Sequence, residues 1–400
     1  MSSEDSEKSG SHKLLALERR LYLKIPSHLR FFLLPIKRMH SLVKVLRLNL
    51  WIITGVENLS KEKLIVFYAG SSAEIEKNFF AKLIFDGSFN ENNIGKAWLW
   101  NIIRSKRQIS DKCSLMVVES PWFFCKFFKR KKDFFVPFWI LGKVDSSLPL
   151  TRTVKSDKQK AKKNNLHFEL TNELPKFHDF YYNMHVPYIN KAHGLEAIIE
   201  DYNSMKAKFN NGELLLLKNE NEYIGGMLLY YTQNQGHLYV LGIKNGEIKY
   251  VNDGAIGAMY YFAIQYLKEK GYKYVYLGES RAFLNYGVLQ FKKKRNMQIN
   301  QRSEMGFLIR PISKIEGVKG FFMKNPFIYT DKINFKSAVF VENDQLFSRE
   351  DFEQIYKNYY LKGISELIIY RFGKVNNVIN ENIPPEYSDK IAICSADNLF

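Results

Sequence analysis

Continuous apolar runs alternate with amphipathic stretches along the first part of the chain. Residues 64–70 (LIVFYAG) carry no charge and predict a buried strand, and residues 113–119 and 134–142 predict two more. Between the first two strands we expect helices at residues 73–85 and 95–107. This order of strand, helix, helix, strand and strand predicts an α/β unit.

The second part of the chain opens with a polar, lysine-rich stretch at 151–164, which predicts an exposed helix. The pattern that follows predicts helices at 174–191, 194–209, 253–270 and 287–294 and strands at 167–170, 213–218, 223–231, 237–243, 272–277 and 305–310. Apolar residues recur at helical spacing through 253–270, and Gly271 is placed to end that helix. We expect the strand at 305–310 to close the sheet of this part.

Pattern and composition together divide the chain into five predicted segments. They are a disordered tail (1–18), a basic apolar helical segment (19–54), an N-terminal α/β domain (55–150), a larger α/β domain (151–312) and a C-terminal subdomain (313–400). Eight Lys or Arg lie between Arg19 and Arg47, and no acidic residue lies between Glu18 and Glu57. Such a segment can lie on an anionic bilayer surface, or it can form the basic outer face of packed helices.

The charge balance narrows the classes of partner. The 400 residues contain 59 Lys and Arg against 41 Asp and Glu, a net charge of +18, which favours nucleic acid, phosphate-rich cofactors or an anionic membrane as partners. Hydrophobic residues at 46% and charged residues at 25% exclude a disordered or collagen-like chain.

Cysteine usage and the terminal sequence bear on location. The three cysteines are widely spaced and form no CxxC pattern, which argues against a zinc site or a disulfide framework. The first ten residues are polar and acidic, and the apolar run at 48–56 is shorter than a spanning helix. We therefore expect a cytoplasmic protein, with peripheral contact to the inner membrane face as an open alternative.

Five short motifs follow one another between residues 155 and 310. They are KSDKQKAKK (155–163), FHDFYY (177–182), GAIGAMYY (254–261), LGES (277–280) and GVLQFK (287–292). In this order they resemble the GNAT acyltransferases, and more closely the branch of the FemAB-type aminoacyltransferases and BioF2-like acetyltransferase domains. The resemblance implies an α/β (α+β) fold with a mixed sheet flanked by helices. It also suggests that the N-terminal domain is a diverged GNAT-like half, since FemAB-type proteins are tandem duplications.

The resemblance implies a catalytic cleft between two splayed parallel strands, here 237–243 and 272–277. An acyl thioester or aminoacyl ester would lie there and an amine would attack it, while the backbone at Leu241 and Gly242 polarises the acyl carbonyl. An amine of a small molecule, of a peptide or of a cell-wall precursor is the implied acceptor. No metal is implied.

A donor pyrophosphate would lie at the start of the next helix, on backbone N–H groups at Gly254, Ala255 and Gly257. The usual phosphate signature of GNAT enzymes, Arg/Gln-x-x-Gly-x-Gly/Ala, is absent, and Asp253 stands beside the site. The resemblance implies acyl-CoA as the donor, with acetyl-CoA foremost, and the departure from the signature leaves a charged tRNA as the alternative. Asp253 as an N-cap with glycines that serve turn geometry is the structural alternative.

Polar residues that follow the second cleft strand are candidates for the chemistry. Glu279 can deprotonate the attacking amine, Lys292 can stabilise developing negative charge, and Tyr286 can give a proton to the leaving group. Ser280 and Arg281 are substrate-binding candidates, since Arg281 can hold a carboxylate or phosphate by a bidentate fork. A Glu–Arg surface pair and a packed tyrosine are the structural alternatives.

Two more substrate-binding candidates, His185 and Tyr188, come from the helix that would overhang the acceptor side. His185 could also act as a base, because the pKa of histidine lies near neutrality. The sequence has no HExxH, Walker or GxSxG motif. The run KFFKRKK at 126–132 predicts a solvated basic turn, with a phosphate-binding site as its alternative.

We therefore expect an N-acyltransferase of GNAT type. An aminoacyl-tRNA-dependent transferase is one alternative. A non-catalytic adaptor of the same fold, bound to an anionic membrane surface or to nucleic acid, is the other.

Overall fold

Seventeen strands in three sheets organise the part of the chain that the computed structural model describes, which is residues 46–104, 113–194, 199–232, 234–342, 347–373 and 383–400. The predicted tail at 1–18 and residues 19–45 of the predicted basic segment lie outside these residues. Helices flank the sheets, and each of the three sheets contains both parallel and antiparallel pairs. The predicted fold class is confirmed.

The strands are β1 (Arg47–Glu57), β2 (Lys63–Gly70), β3 (Phe85–Trp98), β4 (Leu115–Pro121), β5 (Phe134–Pro137), β6 (Ile140–Asp145), β7 (Leu166–Thr171), β8 (Gly212–Asn219), β9 (Glu222–Thr232), β10 (Gln235–Ile243), β11 (Tyr274–Ser280), β12 (Gln298–Arg302), β13 (Met305–Pro311), β14 (Phe327–Asp331), β15 (Asn334–Glu342), β16 (Ile364–Phe372) and β17 (Ile391–Ser395). Their order is β3-β1-β2-β4-β13-β5 in the first sheet, β12-β6-β11-β10-β9-β8-β7 in the second and β14-β15-β16-β17 in the third.

The α-helices are α1 (Ile75–Ile84), α2 (Leu99–Arg104), α3 (Trp122–Phe128), α4 (Arg152–Lys163), α5 (Leu174–Asp179), α6 (Val186–His193), α7 (Tyr202–Phe209), α8 (Ile248–Asn252), α9 (Ala255–Glu269), α10 (Gly287–Lys293), α11 (Glu316–Lys324) and α12 (Arg349–Tyr359). A π-helical turn, Phe180–His185, joins α5 to α6. None of the described helices is long and apolar enough to cross a membrane.

The first two sheets exchange strands. We expected 305–310 to close the second sheet, but β13 lies between β4 and β5 in the first. Both faces of β13 are buried, which suits a central strand of a covered sheet. In return β6 enters the second sheet, where it pairs with β11 and β12. The predicted domain boundaries stay a prediction, although each of these sheets contains strands from both sides of residue 150.

Two predicted helical stretches are strands. Residues 47–54, which we expected at the end of a helical segment, belong to β1. This strand lies between β2 and β3, and its buried and less buried residues largely alternate. The helix expected at 95–107 begins only at Leu99, as α2, because β3 continues through Trp98 in register with Arg47, and residues 105–107 lie outside the described residues. Pairing with β1 overrides the local preference of this polar segment.

An aromatic core lies where the sheets meet. Phe307 of β13 packs against Phe80 of α1 and Phe138, with ring centroids 4.9 and 4.6 Å apart. Phe134 of β5 packs edge-on against Phe327 of the third sheet at 5.2 Å. These buried rings belong to one continuous cluster to which all three sheets contribute, and two smaller clusters lie apart from it.

Candidate functional site

The parallel strands β10 and β11 separate soon after they meet. Within the described residues they pair at two positions, Gly236 with Val275 and His237 with Tyr276. Each strand then has an irregularity, β10 between Leu238 and Val240 and β11 between Tyr276 and Glu279. The splayed pair that the family resemblance implies is therefore present.

A cavity of about 490 Å³ lies in this opening. Its walls are Trp139, Leu141, Gly142, His185, Ile189, Glu200, Met227, Tyr230, His237, Leu238, Tyr239, Val240, Leu241, Tyr260, Tyr276, Leu277, Gly278, Glu279 and Lys292. A cavity of this volume, mostly apolar with a few convergent polar groups, is typical of a small-molecule site.

Two glycines shape the opening. Gly278 has a φ of +72°, and a Cβ there would lie 3.2 Å from the carbonyl oxygen of Leu238. Glycine therefore permits β11 to turn away where it would otherwise continue along β10. A Cβ on Gly242 would lie 2.5 Å from the backbone nitrogen of His185, so this glycine lets β10 pass against the π-helical turn.

Glu279 and Lys292 meet on one wall of the cavity. Lys292 is 3% exposed, and its Nζ donates a hydrogen bond to the backbone carbonyl of Glu279 at 2.7 Å. Burial lowers the pKa of Lys292 to about 7, against the opposing attraction of Glu279. The Glu279 side chain is accessible, but it faces the cavity, and partial burial raises its pKa although Lys292 and Arg281 oppose the shift. Lys292 can thus exchange protons near neutral pH, and Glu279 holds its proton more tightly than an exposed carboxylate does.

His185 closes another side of the cavity. Its Nδ1 lies 2.8 Å from the carbonyl oxygen of Leu241, so Nδ1 carries the proton and donates. Its Nε2 is buried and has no hydrogen-bond partner among the described residues, and burial lowers the pKa of the ring. The neutral ring therefore offers Nε2 as an acceptor. It lies on a π-helical turn, and such turns are frequent at functional sites.

His237 is a cavity residue that the sequence analysis missed. It is stacked between Tyr230 and Tyr276, with ring centroids 4.3 and 4.8 Å away, and burial together with Lys208 lowers its pKa to about 4. Its Nε2 also has no partner in the described part of the chain. The sequence signal for His237 is a lone histidine in an apolar strand, and such a pattern is a weak indication of function.

Arg281 does not lie on the cavity wall. It is buried, its Nη1 lies 2.5 Å from Glu76 Oε2, and its guanidinium stacks on Trp139 and Phe79 at 3.8 and 4.1 Å. The guanidinium group of Arg281, which we expected to hold a substrate anion, therefore pairs with a carboxylate of the protein itself. Ser280 is buried beside it, and its Oγ has no hydrogen-bond partner among the described residues.

The two tyrosine candidates also lie away from the cavity wall. Tyr286 packs edge-on against Phe79 at 6.1 Å, and Tyr188 is half-buried against the main core, where burial raises its pKa. Packing was the alternative for Tyr286, and the contact with Phe79 agrees with it. Any part of either tyrosine in the chemistry stays a prediction.

The first turn of α9 packs against α4. Gly254 occupies the N-cap position that we expected for Asp253, and a Cβ on Gly254 would meet the Lys160 side chain. A Cβ on Gly257 would lie 2.4 Å from Asp157 Oδ1, and buried Ala255 lies between the two glycines. These residues permit close helix packing and do not line the cavity, whereas Leu241 does and Gly242 adjoins it.

The Asp157 carboxylate lies at the position where we expected a donor pyrophosphate. The other oxygen of Asp157, Oδ2, lies 2.5 Å from Arg295 Nη2, so the negative charge beside α9 is paired within the protein. Asn164, directly after α4, donates to the Asp253 carbonyl at 2.6 Å and closes the same corner.

Among the described residues, no group of three or more His, Cys, Asp or Glu side chains comes together in a way that could hold a metal ion. Cys113, Cys125 and Cys394 form no disulfide within the described residues.

Comparisons with known proteins give likeness of structure alone. No family model matches the sequence, and no curated protein matches it. The C-terminal domain (DUF2156) of a protein titled a lysylphosphatidylglycerol synthetase from Agrobacterium fabrum is similar with a TM-score of 0.35 and 12% identity, over 68% of this chain and 84% of that one. FemX is similar with a TM-score of 0.35 and 12% identity, over 62% and 80%.

A GCN5-related N-acetyltransferase from Sphaerobacter thermophilus is similar with a TM-score of 0.28 and 9% identity, over 62% of this chain and 73% of that one. Likeness at these TM-scores does not identify a function.

Proposed function

We propose that the protein transfers an acyl group to an amine in the cavity between β10 and β11. The observation that carries the proposal is the divergence of these strands after His237 and Tyr276. Beyond that point the edge of β10 has no strand partner on the β11 side within the described residues. Peptide N–H groups at such an edge can polarise a carbonyl held against it.

The polar groups on the wall suit the chemistry. The amine nitrogen attacks the acyl carbonyl, a C–N bond forms, and the C–S bond of a thioester or the C–O bond of an ester breaks. Glu279 takes the proton of the attacking amine, and its raised pKa makes it a better base than an exposed carboxylate. Protonated Lys292 stabilises the developing negative charge and supplies a proton for the leaving thiolate or hydroxyl.

The donor in this proposal is an acyl-CoA, with acetyl-CoA foremost, and the acceptor is a small-molecule amine or an amine of a peptide or cell-wall precursor. A charged tRNA is the second candidate donor. Asp157 beside Gly257 favours it, because a carboxylate occupies the corner of α9 where a CoA pyrophosphate would bind. The exposed lysines of α4, among them Lys155 and Lys158, offer positive charge to a polyanion.

Donor binding and group transfer test the proposal together. Thermal unfolding is measured with acetyl-CoA, longer acyl-CoAs or charged tRNA, and release of free thiol or deacylated tRNA is followed with a panel of amines. We expect one donor class to stabilise the protein and Glu279→Gln to lose transfer but keep donor binding. Glu269→Gln, at the exposed end of α9, is the matched control.

Steep loss of binding with salt, with no response to any acyl-CoA, would select the tRNA donor. If no donor raises the unfolding temperature and none is consumed, the proposed activity is wrong.

A further inference from the structure

A second cavity, of about 340 Å³, lies between α3 and the β14–β15 hairpin. It shares no lining residue with the cavity between β10 and β11. Its walls are Trp122, Cys125, Lys126, Lys129, Arg130, Lys131, Phe135, Thr330, Asp331 and Lys332. The proposed acyl transfer uses none of these residues.

Positive charge dominates this cavity. Four of the cations that line it come from residues 126–131, and Lys332 of the hairpin is the fifth. Asp331 is the carboxylate among the lining residues, and Lys336 lies 3.5 Å from it and offsets its charge. The surplus of cations favours an anionic ligand.

A buried hydroxyl on the wall lacks a partner. Thr330 is 2% exposed, and its Oγ1 makes no hydrogen bond within the described residues. A buried hydroxyl without a partner is costly, and a ligand oxygen would satisfy it. Lys129 lies partly buried on the same wall, and burial lowers its pKa, so an anion beside it would restore its charge. Hydroxyl and ammonium groups together suit a phosphate.

Exposed apolar side chains surround the basic residues. Phe123 and Phe127, one helical turn apart on α3, are 60% and 63% exposed, with ring centroids 5.1 Å apart. Ile333, next to Lys332 at the tip of the hairpin, is 82% exposed. Apolar side chains interleaved with lysines are typical of surfaces that bind at the interface of an anionic bilayer.

We propose that α3 and the β14–β15 hairpin dock the protein on a bilayer of anionic phospholipid. A head-group phosphate occupies the second cavity, where it accepts from Thr330 Oγ1 and pairs with Lys129. Phe123, Phe127 and Ile333 enter the boundary between head groups and acyl chains. This surface acts independently of the acyl transfer proposed above.

Co-sedimentation of the full chain with vesicles tests the proposal. The vesicles contain phosphatidylcholine alone or phosphatidylcholine mixed with phosphatidylserine. We expect binding to the mixed vesicles, weakened roughly thirtyfold by Lys126→Gln/Lys131→Gln, since each lysine near a charged surface contributes about a factor of five. The charge-matched control Lys249→Gln/Lys268→Gln, at exposed positions elsewhere, is expected to change binding less than about threefold.

Two further variants separate the apolar and the cavity contributions. Phe123→Ser/Phe127→Ser is expected to weaken vesicle binding by about tenfold or more, whereas Ile248→Ser, which changes another exposed apolar residue, leaves it unchanged. Thr330→Val keeps the shape of the wall and removes the hydroxyl, and it is expected to weaken binding by about tenfold. Thermal unfolding verifies that each variant is folded.

Three results would overturn the proposal. If the α3 variants and their controls lose vesicle binding equally, net charge alone attracts the protein to the vesicles. Vesicle binding that survives every α3 variant would assign it to another part of the chain. Saturable binding of inorganic phosphate by calorimetry, abolished by Thr330→Val but without vesicle association, would identify a soluble phosphate as the ligand.

Discussion

Replacement of Lys292 by methionine is expected to slow acyl transfer and, at neutral pH, to stabilise the protein. The ammonium group is buried, and burial disfavours its charge more than Glu279 favours it, whereas methionine fills a similar volume without charge. A gain of stability with a loss of activity is typical of a group that is kept for chemistry.

The magnitude follows from the pKa of Lys292, which is about 7 in the folded protein against an ordinary value of 10.5. Because the unfolded chain holds the proton more tightly, the burial cost is largest below pH 7 and decreases as the pH rises from 7 to 10.5. It amounts to about 4 kcal/mol at pH 7 and about 1 kcal/mol at pH 10. Loss of the hydrogen bond to the Glu279 carbonyl costs about 1–2 kcal/mol at both pH values.

Lys292→Met should therefore be about 2–3 kcal/mol more stable than the wild type at pH 7, and slightly less stable at pH 10. Urea unfolding at the two pH values measures both differences, and initial rates of transfer should fall roughly a hundredfold. Lys268→Met, at an exposed position, serves as the control. If the stability difference between variant and wild type is the same at both pH values, Lys292 is not buried as described and the reasoning fails.

Three further predictions concern the same region. The rate of transfer should show a bell-shaped pH profile. Glu279 sets the acid limb, which should lie above the ordinary pKa of a glutamate, and Lys292 sets the alkaline limb near pH 7, which Lys292→Met should remove. A flat profile between pH 5 and 9 would contradict these roles. Arg281→Gln should lower the free energy of unfolding by about 3 kcal/mol, because it removes a largely buried ion pair with Glu76, but it should leave KM for the acyl donor unchanged; a raised KM would indicate that Arg281 binds substrate. Gly242→Ala should destabilise the protein by about 1–3 kcal/mol in thermal unfolding, whereas Gly287→Ala, where a Cβ meets no atom within 4 Å, should not, and equal effects would argue against the close approach at β10.

The splayed strands and the polar residues Glu279 and Lys292 could be predicted from the sequence, because their sequence signals are local. The run YKYVYL ends in LGES, and this places Glu279 where a strand stops. Lys292 follows on the next short helix. Both residues lie on the cavity wall as the family resemblance implies.

The remaining features depend on partners that are remote in sequence. Arg281 pairs with Glu76, 205 residues earlier, so no local pattern distinguishes it from a substrate-binding arginine. The glycines at the start of α9 suit a phosphate or a neighbouring helix equally well in the sequence, and the approach of Asp157 of α4 to Gly257 becomes visible only in the structure. The apolar run of β13 fits the centre of either sheet, since a strand that is buried on both faces carries no alternation to identify its neighbours.

The exchange of strands constrains the order in which the molecule can form during synthesis. The first sheet has β4 and β5 joined through β13, which ends at Pro311. Until a ribosome has released that segment, β4 and β5 expose apolar edges that β13 will later cover, and these edges are open to wrong pairing. The emerging chain therefore needs protection from aggregation over most of its translation, and a fragment that stops before residue 305 should be recovered as insoluble material.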